Sequence, residues 1–439
     1  MAKKYAALII SLCTFADYVA LSAKQYTWMF VSGDSGDWLA SANAWIVPQP
    51  YGSPLYISLC RLLGLMPNQP TTLTIVLSCL PSAITVGLVY LIVRKLTSRV
   101  WCALTASLVL LGMGVFLTQS TILEEYVLTI MFLTLAYFFY IGDRRKLTAL
   151  CLGLGTAVHI FILPITVFWF VLEYKQLRLK FLAVYFLSGA LTYLLIPLLM
   201  YFGDGLTFSG LWQYWAGTSG AIVGTLSIFD APQRLLSIAQ ILLMSLGLAV
   251  IPLWYGLKKP YDTKKVVLVM IVLVSLWYHL TCLDPISWTF LCFGIPAITV
   301  LCGLGLSKLS LKHTCAVAAC ALVLIIVNGV FLNANILTNE EPLAVTYYQE
   351  LYSLPNGSAI VAAPGSYSFG LLYVISEGKK LCPIEVEDAV VGDYFAGPRN
   401  RCPATLSLDT GCPPRDRMVY RIISGLESES SFEAEMGDY

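Results

Sequence analysis

Asp34 and Asp37 stand three residues apart in VSGDSGDWLASANAWIVPQPYGSPLY, and Glu124 and Glu125 stand side by side in LTQSTILEEYVLTIMF. Carboxylates placed in this way can take a proton from a hydroxyl, balance developing positive charge or hold a cation. A helix beginning at Ser35 or Gly36 would put both aspartates on one face. The plainer reading of Asp37 is a helix cap, which contributes about 1 kcal/mol. Asp34 is framed by Gly33 and Gly36, and glycine lets another molecule approach the backbone closely. Glu124 and Glu125 open an apolar run; a carboxylate entering hydrocarbon reads as functional by default, against the alternative of a water-facing acid. His159 is alone among apolar residues, the usual setting of a core histidine, and no metal site follows from it.

The elements that must position these residues belong to a membrane protein. Of 439 residues, 58% are hydrophobic and only 12% charged, where a soluble chain carries about 25% charge. The net charge of +1 says nothing of acidic partners, and no nucleic acid is expected as a partner. The first apolar run follows MAKK without a small-residue cleavage site, so it is expected to be retained as a helix. Ten of the thirteen cysteines fall in or beside apolar runs as ordinary small core residues, and Cys382, Cys402 and Cys412 lie in a polar region.

Apolar segments of span length occupy residues 5–23, 71–93, 100–117, 121–141, 147–173, 181–202, 234–257, 265–282, 288–306 and 314–335. Basic clusters between them, from MAKK through Arg94, Lys95 and Arg99, Arg144 to Lys146, Lys175 to Lys180, Lys258 to Lys265, and Lys308 and Lys312, are cytoplasmic by the positive-inside rule. Residues 147–173 are basic on both flanks, so the chain must cross there an even number of times. Two short segments broken near Gly155–His159 and Pro164 meet that requirement, and a break at depth is tolerated where protein surrounds it. The expected fold is an all-α polytopic membrane protein of about eleven spans. Its amino terminus is expected inside and its carboxyl terminus outside.

The transmembrane domain is expected over 1–335, with outer loops at 24–70 and 203–233. In the first loop, prolines 48, 50 and 54 break the chain before a short apolar stretch that should lie at the interface or re-enter. Residues 336–439 exchange apolar runs for acids, prolines and glycines, and read as a small extracytoplasmic α/β domain. AIVAAPGSYSFGLLYVIS has the pattern of a strand, a glycine turn and a helix start, while the acidic ending ESESSFEAEMGDY reads as disordered. Three cysteines there allow one disulfide and leave one over.

Together these strings resemble the protein O-mannosyltransferase-like membrane family of the GT-C glycosyltransferase superfamily. DSGDWLASANAW and QPYGSPLY are similar to that family's first luminal loop, which reads Asp-Ser-Gly-Glu, an alanine-rich helix, then His-Pro-Pro-Gly-Tyr-Pro-Leu. Asp34, Ser35, Gly36, Pro50, Gly52, Pro54 and Leu55 match, whereas Asp37 replaces a glutamate, Gln49 a histidine and Ser53 a tyrosine. TQSTILEEYVL resembles its Ser-Gln-Ala…Glu-Val-Tyr-Thr-Leu stretch through Gln119, Glu124 and Tyr126, and GLGTAVHIFILP resembles its next conserved segment through His159. GDGLTFSGLWQYWAG is similar to its later outer loop, and LPNGSAIVAAPGSYSF to the segment after its last span.

The resemblance implies an inverting, extracytoplasmic transferase. It would move a sugar from a polyprenyl-phosphate donor, its tail in the bilayer, to a protein hydroxyl, a lipid or a glycan. Asp34 holds the place of the superfamily's first-loop acid and would be the base; Asp37 would orient the acceptor or adjust the proton affinity of Asp34 through like-charge proximity. Glu124, Gln119 and Tyr126 would line the cleft, with Gln49 and His159 as further substrate-binding positions. Among Lys24, Arg61 and Arg234, Arg61 is favoured for the donor phosphate because a planar guanidinium suits its geometry, against an ordinary snorkelling arginine. No cofactor is assigned, and a divalent cation is left open. Two other classes compete: a transporter or lipid-handling protein, which would carry more ionisable residues deep in its spans, and an inactive scaffold of the same fold.

Overall fold

The computed structural model describes residues 2–25, 35–43, 53–66, 69–174, 179–189, 191–193, 235–236, 238–239, 245–258, 260–281, 288–332, 350–362, 380–383, 394–396, 407–408 and 419–424. The chain forms two compact units, one of Met1–Gln25 and Val47–Ala334, the other of Tyr26–Ile46 and Asn335–Tyr439.

The first unit is helical. Its described elements begin with α1 (Ala2–Gln25), and the second unit contributes α2 (Ser35–Asn43). The first unit continues with α3 (Pro54–Leu63), α4 (Gln69–Thr74), α5 (Leu80–Thr97), α6 (Val100–Leu111), α7 (Gly114–Thr121) and α8 (Tyr126–Ile141). There follow α9 (Arg145–Val158), α10 (Ile162–Leu172), α11 (Leu179–Ser188), α12 (Val250–Leu257), α13 (Thr263–Thr281), α14 (Ile295–Leu306) and α15 (Leu311–Leu332).

Four described helical stretches are long and apolar enough to cross a membrane: Tyr5–Ser22, Thr71–Thr97, Thr263–Leu280 and Leu311–Val330. The helix pair α6 and α7 is bent by 67° and makes a fifth if it is one span. The remaining apolar helices among the described residues are shorter than a full span requires. The protein is an integral multi-pass membrane protein.

Breaks in these helices coincide with particular residues. Pro81 cannot donate a backbone hydrogen bond, and the turn before it widens into a π-helix over Ile75–Cys79, with Leu80 N–H reaching Ile75 O. The predicted interruption of 147–173 falls at His159, whose extended backbone (φ −150°, ψ 121°) ends α9. Pro164 then sits in the first turn of α10, where a missing N–H costs nothing. Between α6 and α7, the Asn328 amide of α15 donates to Gly112 O at 2.7 Å.

Contacts knit the basic turns into one end of the bundle. Lys95 lies over the Phe138 ring at 5.9 Å, Tyr137 donates to Lys264 O at 3.1 Å, and Lys308 donates to Tyr255 O at 3.0 Å. Tyr140, at the end of α8, donates to Glu173, just past α10, at 2.5 Å. Thus α9 leaves the basic end and α10 returns to it, as the paired basic flanks required. At about 1.5 Å per residue, α8 and α9 carry their far ends roughly 20 to 25 Å from the basic turns, within the depth of a 30 Å hydrocarbon layer.

In the second unit, α2 begins at Ser35 and buries Ser35, Trp38, Leu39, Ser41 and Ala42. Five strands form a sheet of order β2-β1-β3-β5-β4: β1 (Ala359–Ala362), β2 (Cys382–Pro383), β3 (Tyr394–Ala396), β4 (Ser407–Leu408) and β5 (Val419–Ser424). Strand β1 runs parallel to β2 and β3, while β5 is antiparallel to β3 and β4. The turn and helix expected after β1, the acidic ending, Cys402 and Cys412 lie outside the described residues.

Candidate functional site at the far ends of α8 and α9

The short link between α7 and α8 carries Leu123, Glu124 and Glu125, all buried. Glu125 is the residue before α8, and its carbonyl accepts from both Thr129 N (3.1 Å) and Thr129 Oγ1 (2.9 Å). This bond pattern fixes the first turn of α8 and leaves the Glu125 side chain directed by the helix start. Across from it, the α9 break presents His159, and His159 Nε2 lies 3.6 Å from Glu125 Oε1, with both side chains fully buried. The other ring nitrogen, Nδ1, accepts from Phe161 N at 3.3 Å. That bond orients the imidazole and leaves Nε2 facing the acid.

Aromatic rings close the space around this pair. The His159 ring centroid lies 5.3 Å from Tyr126, 4.7 Å from Phe161 and 5.4 Å from Phe293. Phe161 stacks on Tyr278 at 4.5 Å, and the neighbouring His279 is buried as well. Such packing excludes water, so charge at Glu125 is felt over a longer range than at a wet surface.

Helix α3 supplies a further wall. It packs against α9, and Tyr56 and Cys60, both fully buried, lie within electrostatic reach of Glu125. Its first residue is Pro54, preceded by Ser53 in a left-handed conformation (φ 36°, ψ 55°) with its side chain buried. A non-glycine residue held there costs about 1 kcal/mol or more. Arg61 stands in the last turn of α3, half-buried, at the edge of the buried stripe formed by Tyr56, Ile57 and Cys60.

The structure therefore brings together Glu124, Glu125, Tyr126 and His159. Gln119, five residues before Glu124 on α7, is also buried, and its Oε1 accepts no hydrogen bond among the described residues. Asp34 and Gln49 lie outside the described residues, as do 203–233 and Arg234; Asp37 falls within α2, and its side chain is not among those described. Sequence reasoning chose Glu124 within the acidic pair, whereas the acid beside His159 is Glu125. It missed Tyr56, Cys60, Phe161, Tyr278 and Phe293. The signal for His279 was in plain view, since it is another lone histidine in an apolar run. Among the described residues no three His, Cys, Asp or Glu side chains are grouped to hold a metal.

No protein-family model and no curated protein matches the chain. Its fold does match solved structures. ArnT from Cupriavidus metallidurans, bound to undecaprenyl phosphate and in the apo state, aligns with a TM-score of 0.60 and 10% identity in each case. Each alignment covers 92% of this chain and 97% of the other. The likeness is one of fold, held along almost the whole length of both chains.

Proposed function

We propose that the protein is a membrane glycosyltransferase of the GT-C type that uses a polyprenyl-phosphate-linked sugar on the extracytoplasmic face. The observation that carries this reading is the fold likeness along nearly the whole of both chains to ArnT, one of whose structures holds undecaprenyl phosphate. The first-loop string DSGDWLASANAW supports it, as does the expense of burying Glu124 and, beside His159, Glu125.

In this mechanism the acceptor hydroxyl oxygen attacks the anomeric carbon from the face opposite the phosphate. The bond from that carbon to the phosphate oxygen breaks, and the polyprenyl phosphate leaves with the electron pair. Asp34 takes the hydroxyl proton as the sugar carbon gains positive charge, and Asp37 orients the acceptor. Arg61 balances the charge on the departing phosphate with its bidentate donors. Glu124, Gln119 and Tyr126 contact the sugar, and His159 with Glu125 holds that wall in place. The acceptor is a protein hydroxyl, a lipid or a glycan. The sugar is left to the experiment, a mannose-type donor being the first to try.

The test is transfer of radiolabelled sugar from a panel of polyprenyl-phosphate sugars by membranes carrying wild type or Asp34→Asn. Wild type should transfer, and Asp34→Asn should lose at least about a hundredfold, the usual contribution of a general base. An active wild type with an unaffected variant would remove Asp34 from the mechanism, and a wild type that consumes no donor would favour the transporter and scaffold readings.

A further inference from the structure

At the basic end of the bundle, the side chains of two lysines from separate elements converge on the backbone carbonyl of a third, Lys258. Lys258 O, just beyond the last turn of α12, accepts from Lys265 Nζ near the start of α13 and from Lys308 Nζ, past the end of α14, the latter at 3.5 Å. Lys265 also donates to Pro260 O at 3.3 Å, and Lys308 to Tyr255 O at 3.0 Å. Lys258 itself lies over the rings of Tyr255 (4.6 Å) and Trp254 (5.7 Å), and Lys265 over Tyr261 (4.4 Å).

Carbonyl caps account for part of this arrangement, since lysines near a helix C-terminus satisfy its last carbonyls. They do not account for the charge. The ammonium groups of Lys265 and Lys308 meet at one carbonyl, Lys258 lies over the ring of Tyr255, whose carbonyl Lys308 also reaches, and among the described residues no carboxylate is ion-paired with any of the three. Asp262, the nearest acid in sequence, accepts from the Lys265 backbone N–H at 2.8 Å and so serves as the cap of α13. Lys258 and Lys308 are exposed while Lys265 is only 7% exposed, giving a cationic floor with two open sides. Trp254 and Tyr261, both exposed, flank it in the way aromatic residues sit at a bilayer's headgroup level.

We propose that Lys258, Lys265 and Lys308 form a binding site for the anionic headgroup of a phospholipid in the leaflet at the basic end, cytoplasmic by the positive-inside rule. The headgroup phosphate lies against Lys258 and Lys308, and Lys265, held by its carbonyls, supplies charge from beneath. The acyl chains run along α12, whose exposed Ile251 and Trp254 give them an apolar surface. The lipid ties α12, α13 and α14 together at one end. This site is separate from the one around His159 and does not depend on the transferase reading.

The test is native mass spectrometry of the purified full-length protein titrated with phosphatidylglycerol or phosphatidylcholine, with and without millimolar inorganic phosphate. Wild type should retain phosphatidylglycerol about tenfold better than phosphatidylcholine, given the strength of each lysine's attraction to anionic lipid. Lys258→Gln/Lys308→Gln should lose that preference, while Lys146→Gln/Lys312→Gln, with the same change in net charge, should keep it. Lys265 stays intact in both variants, so that its buried contacts are undisturbed. Equal retention of the two lipids, or an unchanged preference in Lys258→Gln/Lys308→Gln, would overturn the proposal. Displacement of the lipid by inorganic phosphate would overturn it in favour of a soluble-anion site.

Discussion

The contact between α12 and α14 and the meeting of α8 with the α9 break lie in the same bundle and are built on opposite principles. Between α12 and α14 the backbones touch. A Cβ added to Gly256 would come within 2.0 Å of Leu301 O, and one added to Gly305 within 1.7 Å of Pro252 O. Apart from Cys302 Sγ reaching Ala249 O at 3.4 Å, that contact is packing of small residues, the usual means of joining helices where lipid removes the hydrophobic drive. Around His159 the opposite holds: polar groups are buried at depth, a helix is interrupted, and Ser53 is held in a strained conformation. The first region is organised for stability and the second carries costs that stability alone would remove.

The largest expected effect sharpens that contrast. His159→Ala opens a cavity and leaves Glu125 without the imidazole, so unfolding in detergent should become easier by about 3 to 5 kcal/mol. Replacing both members, Glu125→Met with His159→Leu, should restore most of that stability while sugar transfer stays lost, because a buried polar pair is often no more stabilising than apolar residues of similar volume. If the double variant transfers normally, the pair is structural and the contrast collapses.

Next in size is Gly305→Ala. The new methyl meets backbone that cannot yield cheaply, and a loss of about 3 kcal/mol is expected in the same unfolding measurement. Gly329→Ala on α15, where an added Cβ meets nothing within 4 Å, should instead gain up to about 1 kcal/mol from helix propensity. Equal responses of the two glycines would show that the α12–α14 contact is looser than its geometry.

The smallest effect is at Ser53. Glycine accepts the left-handed conformation without strain, so Ser53→Gly should raise the melting temperature by a few degrees, about 1 kcal/mol. If the strain is kept for the site, that gain should come with slower transfer. A variant both more stable and as active would leave the strain without a use.

Much of the bundle was legible in advance because its cues are local. Basic residues on both flanks of 147–173 required a return, and the chain does turn back at His159. The start of α2 at Ser35 followed from the small and capping residues around it. The bend between α6 and α7 was not foreseen, since 100–117 reads as one continuous apolar run and Asn328, which bonds Gly112 O, is 216 residues away. The same reason explains the preference for Glu124. Adjacent acids look alike in sequence, and only the position of the α9 break decides which one meets the imidazole. Tyr56 and Cys60 were passed over because an interfacial helix gives no indication of which partner its buried stripe will face.

The clasp between Asn328 and Gly112 carries a consequence for biosynthesis. Helices α6 and α7 leave the ribosome long before the residue that bonds the carbonyl at their bend. At about 5 to 20 residues per second, the wait lasts roughly 10 to 40 seconds. Through that interval the half-made bundle exposes an irregular backbone that lipid cannot satisfy, and a chaperone, a translocon wall or bound water must stand in. Chains truncated before residue 328 lack that bond and should be the ones that membrane quality control degrades.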